Sequence, residues 1–183
     1  MDSLAGQLLI AVPELPDANF FRSVVLVLQH NEDGASGVVL NRPSDVTVSK
    51  VWDEISEEVC ASDLPVNVGG PVEGPLIGLH SSLALGEVQI LPGLLMSLRR
   101  ENLNQLVMQE AHAYRIYSGY AGWGPKQLDS EVERGGWLTM PAEYDHVFES
   151  PDSLWKSVCE HVGHKIMLPH FGTKSLPTDP SMN

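Results

Sequence analysis

The chain is poor in cysteine: Cys60 and Cys159 are the only two in 183 residues, they stand far apart, and neither has a partner at metal-ligand spacing. That excludes a disulfide framework and a structural zinc site of the usual spacing, and leaves two packed thiols. Basic residues are also scarce, with 11 Lys and Arg against 24 Asp and Glu and a formal net charge of −13. Such a surface repels the phosphate backbone that supplies most sequence-independent DNA affinity, so direct nucleic-acid binding is not expected. The one basic pair, Arg99-Arg100, is followed at once by Glu101 and reads as a solvated helix face. Long hydrophobic runs are missing too. The run Leu8 to Val12 is too short for a signal peptide or a membrane span, which points to the cytoplasm and to no membrane partner. Finally, H-E-x-x-H, G-x-S-x-G, C-x-x-C, the P-loop and the dinucleotide fingerprint are all absent, so no enzyme class readable from a short motif is supported and no cofactor is expected.

What is present is ordinary globular composition, 43% hydrophobic and 19% charged, in a length that suits one domain. Gln7 to Val12 is a strand closed by Pro13. Ser23 to His30 is apolar on successive positions, which predicts a strand buried on both faces. NEDGA at 31–35 supplies turn chemistry, and Ser36 to Asn41 returns as the third strand. A five-residue loop pairs Val25 with Asn41 and Val24 with Arg42, and sets His30 at the tip. Asn41, Arg42 and Pro43 then arrive beside Asp17, Asn19, Arg22 and Ser23, where two guanidiniums, a carboxylate and an amide converge.

Val48, Val51, Trp52, Ile55 and Val59 recur at helical spacing, so Thr47 to about Val59 is expected to be an amphipathic helix. Short strands follow at Val66–Gly70, Leu76–His80 and Val88–Leu91, then a helix from about Arg99 to Glu110. Ala113 to Ser118 is a strand, GYAGWGP a junction, Lys126 to Arg134 a helix with Pro125 at its first position, and Trp137 to Met140 a strand. Ser150-Pro151-Asp152 opens a last helix that Gly163 closes. The fold class is therefore α/β with α+β character: a single compact domain over residues 1–171, a mixed and partly antiparallel sheet flanked by helices, and a disordered tail at 172–183.

The stretches LLIAVPELPDANFFRSVVLVLQHNEDGASGVVLNRP, VGGPV, LH and GYAGWGPKQLDSEVERGGWL, in that order, resemble the YqgE/AlgH family of bacterial proteins, over roughly Leu4 to Phe171. The resemblance implies a single α/β domain with a mixed sheet, a connection with transcriptional regulation in alginate production, and no established reaction. It also marks polar positions that fall on Asp17, Arg22, Ser23, His30, Asn41, Arg42 and Pro43, then on Gly69, Gly70, Pro71, His80, Gly119, Trp123 and Gln127. Where family members often have glycine, this chain has Lys126.

Three groupings are candidates for chemistry. Asp17, Arg22, Ser23, Asn41 and Arg42 either hold an anion, since a guanidinium fork matches carboxylate and phosphate oxygens, or stitch a loop to the sheet. Gly119, Trp123 and Gln127 belong to a strand-to-helix junction whose backbone N–H groups can cradle an anion or simply form a tight turn. His161, His164 and His170 are too loosely spaced to make a metal site the expected reading. The leading expectation is a non-catalytic or regulatory binding domain that recognises a small anionic metabolite or a protein partner, with a homodimer compatible with its short strands. The alternative is a hydrolase or transferase using His80 with a water or Ser23; a DNA-binding regulator is the weakest of the three.

Overall fold

The computed structural model describes residues 2–12, 17 and 19–167. The expected tail and His170 lie outside the described residues.

Among the described residues, ten strands form one curled sheet, along the path β10-β1-β2-β3-β9-β6-β8-β7, with β4 and β5 branching from β9. The strands on the path are β1 (Gln7–Ala11), β2 (Val24–Asn31), β3 (Gly34–Val39), β6 (Val72–His80), β7 (Val88–Leu91), β8 (Leu94–Ser97), β9 (Tyr114–Trp123) and β10 (Trp137–Pro141). On the branch, β4 (Pro43–Thr47) pairs antiparallel with β5 (Pro65–Val68), and β5 runs parallel to β9. The other pairings are antiparallel, so the expected mixed, partly antiparallel sheet is what forms.

The unalternating apolar run of β2 has the cause read from the sequence. Val24 and Leu26 face one core with Leu8, Ile10, Val38 and Tyr117, whereas Val25 and Val27 face a second with Leu9, Val39, Trp123 and Trp137. Helices α4 (Tyr144–Phe148) and α5 (Pro151–Met167) cover the first face through Val147, Leu154, Val158 and Val162. Helix α3 (Gln127–Glu133) covers the second through Leu128. A third core lies where α1 (Val48–Ile55) and α2 (Arg100–Val107) pack Trp52, Leu103 and Leu106 over Val66 and Ile116. Truncating one such fully buried leucine to alanine costs about 2–5 kcal/mol.

Several local expectations are corrected. The β2–β3 turn is the two residues Glu32-Asp33, closed by the Asn31–Gly34 pair, and a bulge at Leu28 shifts the register so that Val25 pairs with Val39. The Asn31 side chain accepts from the Asp33 N–H at 2.9 Å, which holds this tighter turn. Chain from Pro43 to Thr47 is strand, and the following helix stops at Ile55, because the Ser56 backbone is extended; Val59 is 85% exposed rather than inward. Gly163 does not end the last helix, which continues to Met167. Strand β7 falls where the sequence placed it, at Val88–Leu91, whereas its partner β8 and helix α4 carry no strong periodicity in the sequence and are found only in the structure.

Candidate functional site

The tightened register still carries the Asn-Arg-Pro segment back to the start of β2. Asn41 Oδ1 accepts from the Val24 N–H at 2.9 Å, and its amide donates to the Arg22 carbonyl at 2.9 Å. Ser23 is fully buried and its hydroxyl donates to the Phe20 carbonyl at 2.7 Å. Both side chains are thus committed to backbone groups at the end of the hairpin, and among the described residues no histidine bonds Ser23 Oγ to activate it. Asp17 accepts from the Asn19 N–H at 2.8 Å, an Asx-type turn.

The two arginines differ from this. Arg22 has a left-handed backbone, φ 51°, an unusual conformation for a side chain with a Cβ. It carries the guanidinium to 5.1 Å from the Phe21 ring centroid and 5.3 Å from that of Trp155, a cation–π arrangement. Arg42 donates to the Phe21 carbonyl at 3.4 Å. Burial pushes the Arg42 pKa below its ordinary value, and the Asp17 charge opposes the shift. The segments predicted to converge do so: Phe21 and Arg22 are exposed and Arg42 is half-buried, whereas Ser23 is buried.

The GYAGWGP junction joins strand to helix through a short turn. Strand β9 runs on through Trp123, and α3 begins only at Gln127, so Pro125 is not its first residue. Trp123 Nε1 and Trp137 Nε1 donate to the same Glu131 oxygen, at 3.0 and 2.9 Å, while Gln127 donates to the other at 2.9 Å and accepts from the Gly124 N–H. Phe20 stacks on Trp123 at 6.1 Å and meets Trp137 edge-on at 5.3 Å. Trp123 and Gln127 are therefore parts of a structural cap centred on Glu131, a residue that sequence reasoning missed although it sits at i+4 from Gln127. His30 ties the hairpin tip to this cap: Nδ1 accepts from the Leu4 N–H at 2.9 Å and Nε2 lies 3.4 Å from Asp129.

Gly69, Gly70 and Gly119 pack backbone against backbone. Gly119 has φ +72°, and a Cβ on Gly69 would sit 2.2 Å from the Gly119 carbonyl oxygen. The two glycine segments clasp each other where β6 bulges against β9.

His80 is fully buried. Its Nδ1 accepts from the Ser82 N–H at 3.2 Å, so Nε2 carries the proton and donates to Ser97 Oγ at 2.9 Å; Ser97 in turn donates to the Leu85 carbonyl. A serine activated by histidine would have to donate to the ring, and here it donates away from it. Burial, with the His112 charge adding to it, holds the His80 pKa below the ordinary range. Among the described residues no cluster of three His, Cys, Asp or Glu is placed to hold a metal ion. No helix there is long and apolar enough to cross a membrane.

Comparison with known proteins agrees with the resemblance. The profile of the AlgH-like family, DUF179, matches residues 8–167. A UPF0301 protein of Streptomyces avermitilis is 34% identical, with 100% of this chain and 97% of the relative aligned. Another, from Myxococcus xanthus, is 38% identical over 89% of this chain and 93% of its own. The solution structure of AlgH from Pseudomonas aeruginosa superposes with a TM-score of 0.75 at 28% identity, covering 96% of this chain and 97% of that one. A crystal structure from Corynebacterium diphtheriae gives 0.72 at 26% identity, over 88% and 87%. With the family profile spanning the described core and full-length relatives above 30% identity, this chain belongs to the AlgH-like family, UPF0301.

Proposed function

We propose that this chain is a cytoplasmic, non-catalytic regulatory binding domain, and that it recognises an anionic group through Arg22 and Arg42. The observation that carries the reading is the left-handed backbone at Arg22, which holds a guanidinium against Phe21 and Trp155 beside a second guanidinium. Backbone strain of this kind costs energy and persists where the surroundings impose it, commonly at binding sites. On a chain of net charge −13, two guanidinium-bearing residues at one end of the β2–β3 hairpin are a local exception to the acidic surface. The carboxylate of Asp17 is close enough to act on Arg42 but makes no ion pair within 4.0 Å among the described residues.

Phe21 favours a protein partner over a free metabolite. It is 55% exposed beside the arginines, and an aromatic with Arg is the composition of interface hot spots. An acidic segment of a partner would meet both guanidiniums and cover the ring. Regulation then runs through that partner rather than through contact with DNA.

The test compares the wild type with Arg22→Ala, Arg42→Ala and Phe21→Ala. Native mass spectrometry of the purified protein first reports any retained small anion and the oligomeric state. Immobilised wild type and variants are then exposed to cell extract. Partners retained by the wild type and lost from both arginine variants, with folding intact, support the reading. Variants that retain every partner and every bound anion would sink it.

A further inference from the structure

A second feature, independent of the arginine pair, lies at the other end of β5 and β9. A cleft of about 720 Å³ opens between the start of these strands, the end of α2 and the α4–α5 corner. That is the size of clefts that enclose small molecules. Its apolar lining includes Val59, Leu64, Val107, Met108 and Phe148, and the first two are strongly exposed, at 85% and 46%.

The polar groups in this cleft point to a particular ligand chemistry. Asn67 lines it and is 2% exposed. Its amide nitrogen donates to the carbonyls of Ile116, at 3.2 Å, and Pro65, at 3.4 Å, which fixes the orientation of the group. Oδ1 is then a buried acceptor with no hydrogen-bond partner among the described residues. Such orphans are rare in folded proteins, and each calls for a cause. Tyr117, which pairs with Asn67 across β5 and β9 and so shares its face, has a hydroxyl in the same condition. Two residues before it on the same face, Arg115 lines the cleft; its guanidinium donates to the Glu149 carbonyl at 2.6 Å and makes no ion pair among the described residues. The remaining N–H groups of this half-buried guanidinium can take an acceptor from the cleft, whereas Asn67 Oδ1 lacks a donor. Glu110, also in the lining, disfavours a second negative charge.

We infer that this cleft binds a small amphipathic monocarboxylic acid bearing an N–H or O–H group, the carboxylate on Arg115, the donor on Asn67 Oδ1, and the apolar body against Val107, Met108 and Phe148. Nothing covalent is required of the site; it selects by one charge, one donor and an apolar volume.

N-acetyl-L-phenylalanine is a probe with all three features. Its methyl ester lacks the charge, and 3-phenylpropionate lacks the donor. Titrated into the isotope-labelled protein, the acid is expected to give saturable amide shifts confined to Asn67, Met108 and 112–115, with each incomplete probe at least about ten-fold weaker. Asn67→Ala is expected to weaken the acid by about ten-fold as well. Because that variant also loses two hydrogen bonds within the sheet, Met108→Trp serves as a second, filling the mouth from a partly exposed position; it is expected to abolish the shifts in a folded protein. Arg42→Ala is expected to leave them unchanged, which separates this site from the arginine pair. Absence of saturable shifts at roughly ten-millimolar acid, shifts away from the cleft, or equal affinity for the ester overturns the inference.

Discussion

Two indole N–H groups, from Trp123 and Trp137, converge on one oxygen of Glu131, and both rings are buried. Removing the carboxylate strands two donors, each costing about 1–3 kcal/mol when left unsatisfied. Glu131→Ala is therefore expected to lower stability by at least about 2 kcal/mol in urea denaturation, with Glu131→Gln milder because an amide oxygen still accepts. At His80 the sign of the pH effect follows from burial. The folded state keeps the ring neutral, with its pKa below the ordinary 6.5, while the unfolded chain takes up the proton. Stability contributed by the neutral ring is whole above pH 6.5 and is lost as pH falls below it. His112 and Glu87 face the same ring with opposing influences. Urea midpoints measured downward from neutral pH are expected to fall in the wild type and to fall less steeply in His80→Gln. The sequence made Ser23 and Asn41 visible as polar residues near the hairpin end, but not that backbone groups would occupy both. A hydrogen bond from Ser23 to Phe20 depends on the turn between them, and no periodicity encodes that turn.

Strand β9 accepts three neighbours, β3, β5 and β6, and the glycine clasp lets β5 leave it where β3 takes over. A methyl on Gly69 meets the Gly119 carbonyl, and backbone cannot retreat as a side-chain tip can. Gly69→Ala is expected to cost about 3 kcal/mol in equilibrium unfolding, with the loss of sharp amide signals centred on β5 and β9. The start of α3 carries the opposite opportunity. Lys126 has φ 60°, the left-handed conformation that glycine adopts freely, at the position where the family resemblance puts glycine. Lys126→Gly is expected to stabilise the fold by roughly 0.5–1 kcal/mol after the extra freedom of the unfolded chain is subtracted, read as a higher thermal midpoint. Elements with clear apolar patterns, β1, β2, α2 and α5, were legible from residues alone. Strand β4 was not, because PSDVT is polar and pairs only with β5, and the β2–β3 register was missed because the turn is two residues rather than five and a bulge shifts it by one more. The Asn67 cleft was the least legible of all: its walls come from α2, β5, β9 and the α4–α5 corner, which meet only in the fold.

Over the whole molecule the charge of −13 sets the terms of association. A gel-shift assay with promoter-length DNA is expected to show no specific complex at physiological salt, because the counterion release that drives such binding has few cations to start it. A specific, salt-sensitive complex would reverse the ranking of partner-mediated over direct regulation. The same scale holds the pairing of β1 with β10, in which Gln7 stands opposite Pro141. Made from its N-terminus on a ribosome, β1 can pair with β2 early, yet its other edge stays open until β10 has been synthesised. For most of translation the nascent sheet thus exposes the backbone of a strand whose side chains are nearly all apolar, and a chaperone or a crowded polysome meets that edge before its own strand does.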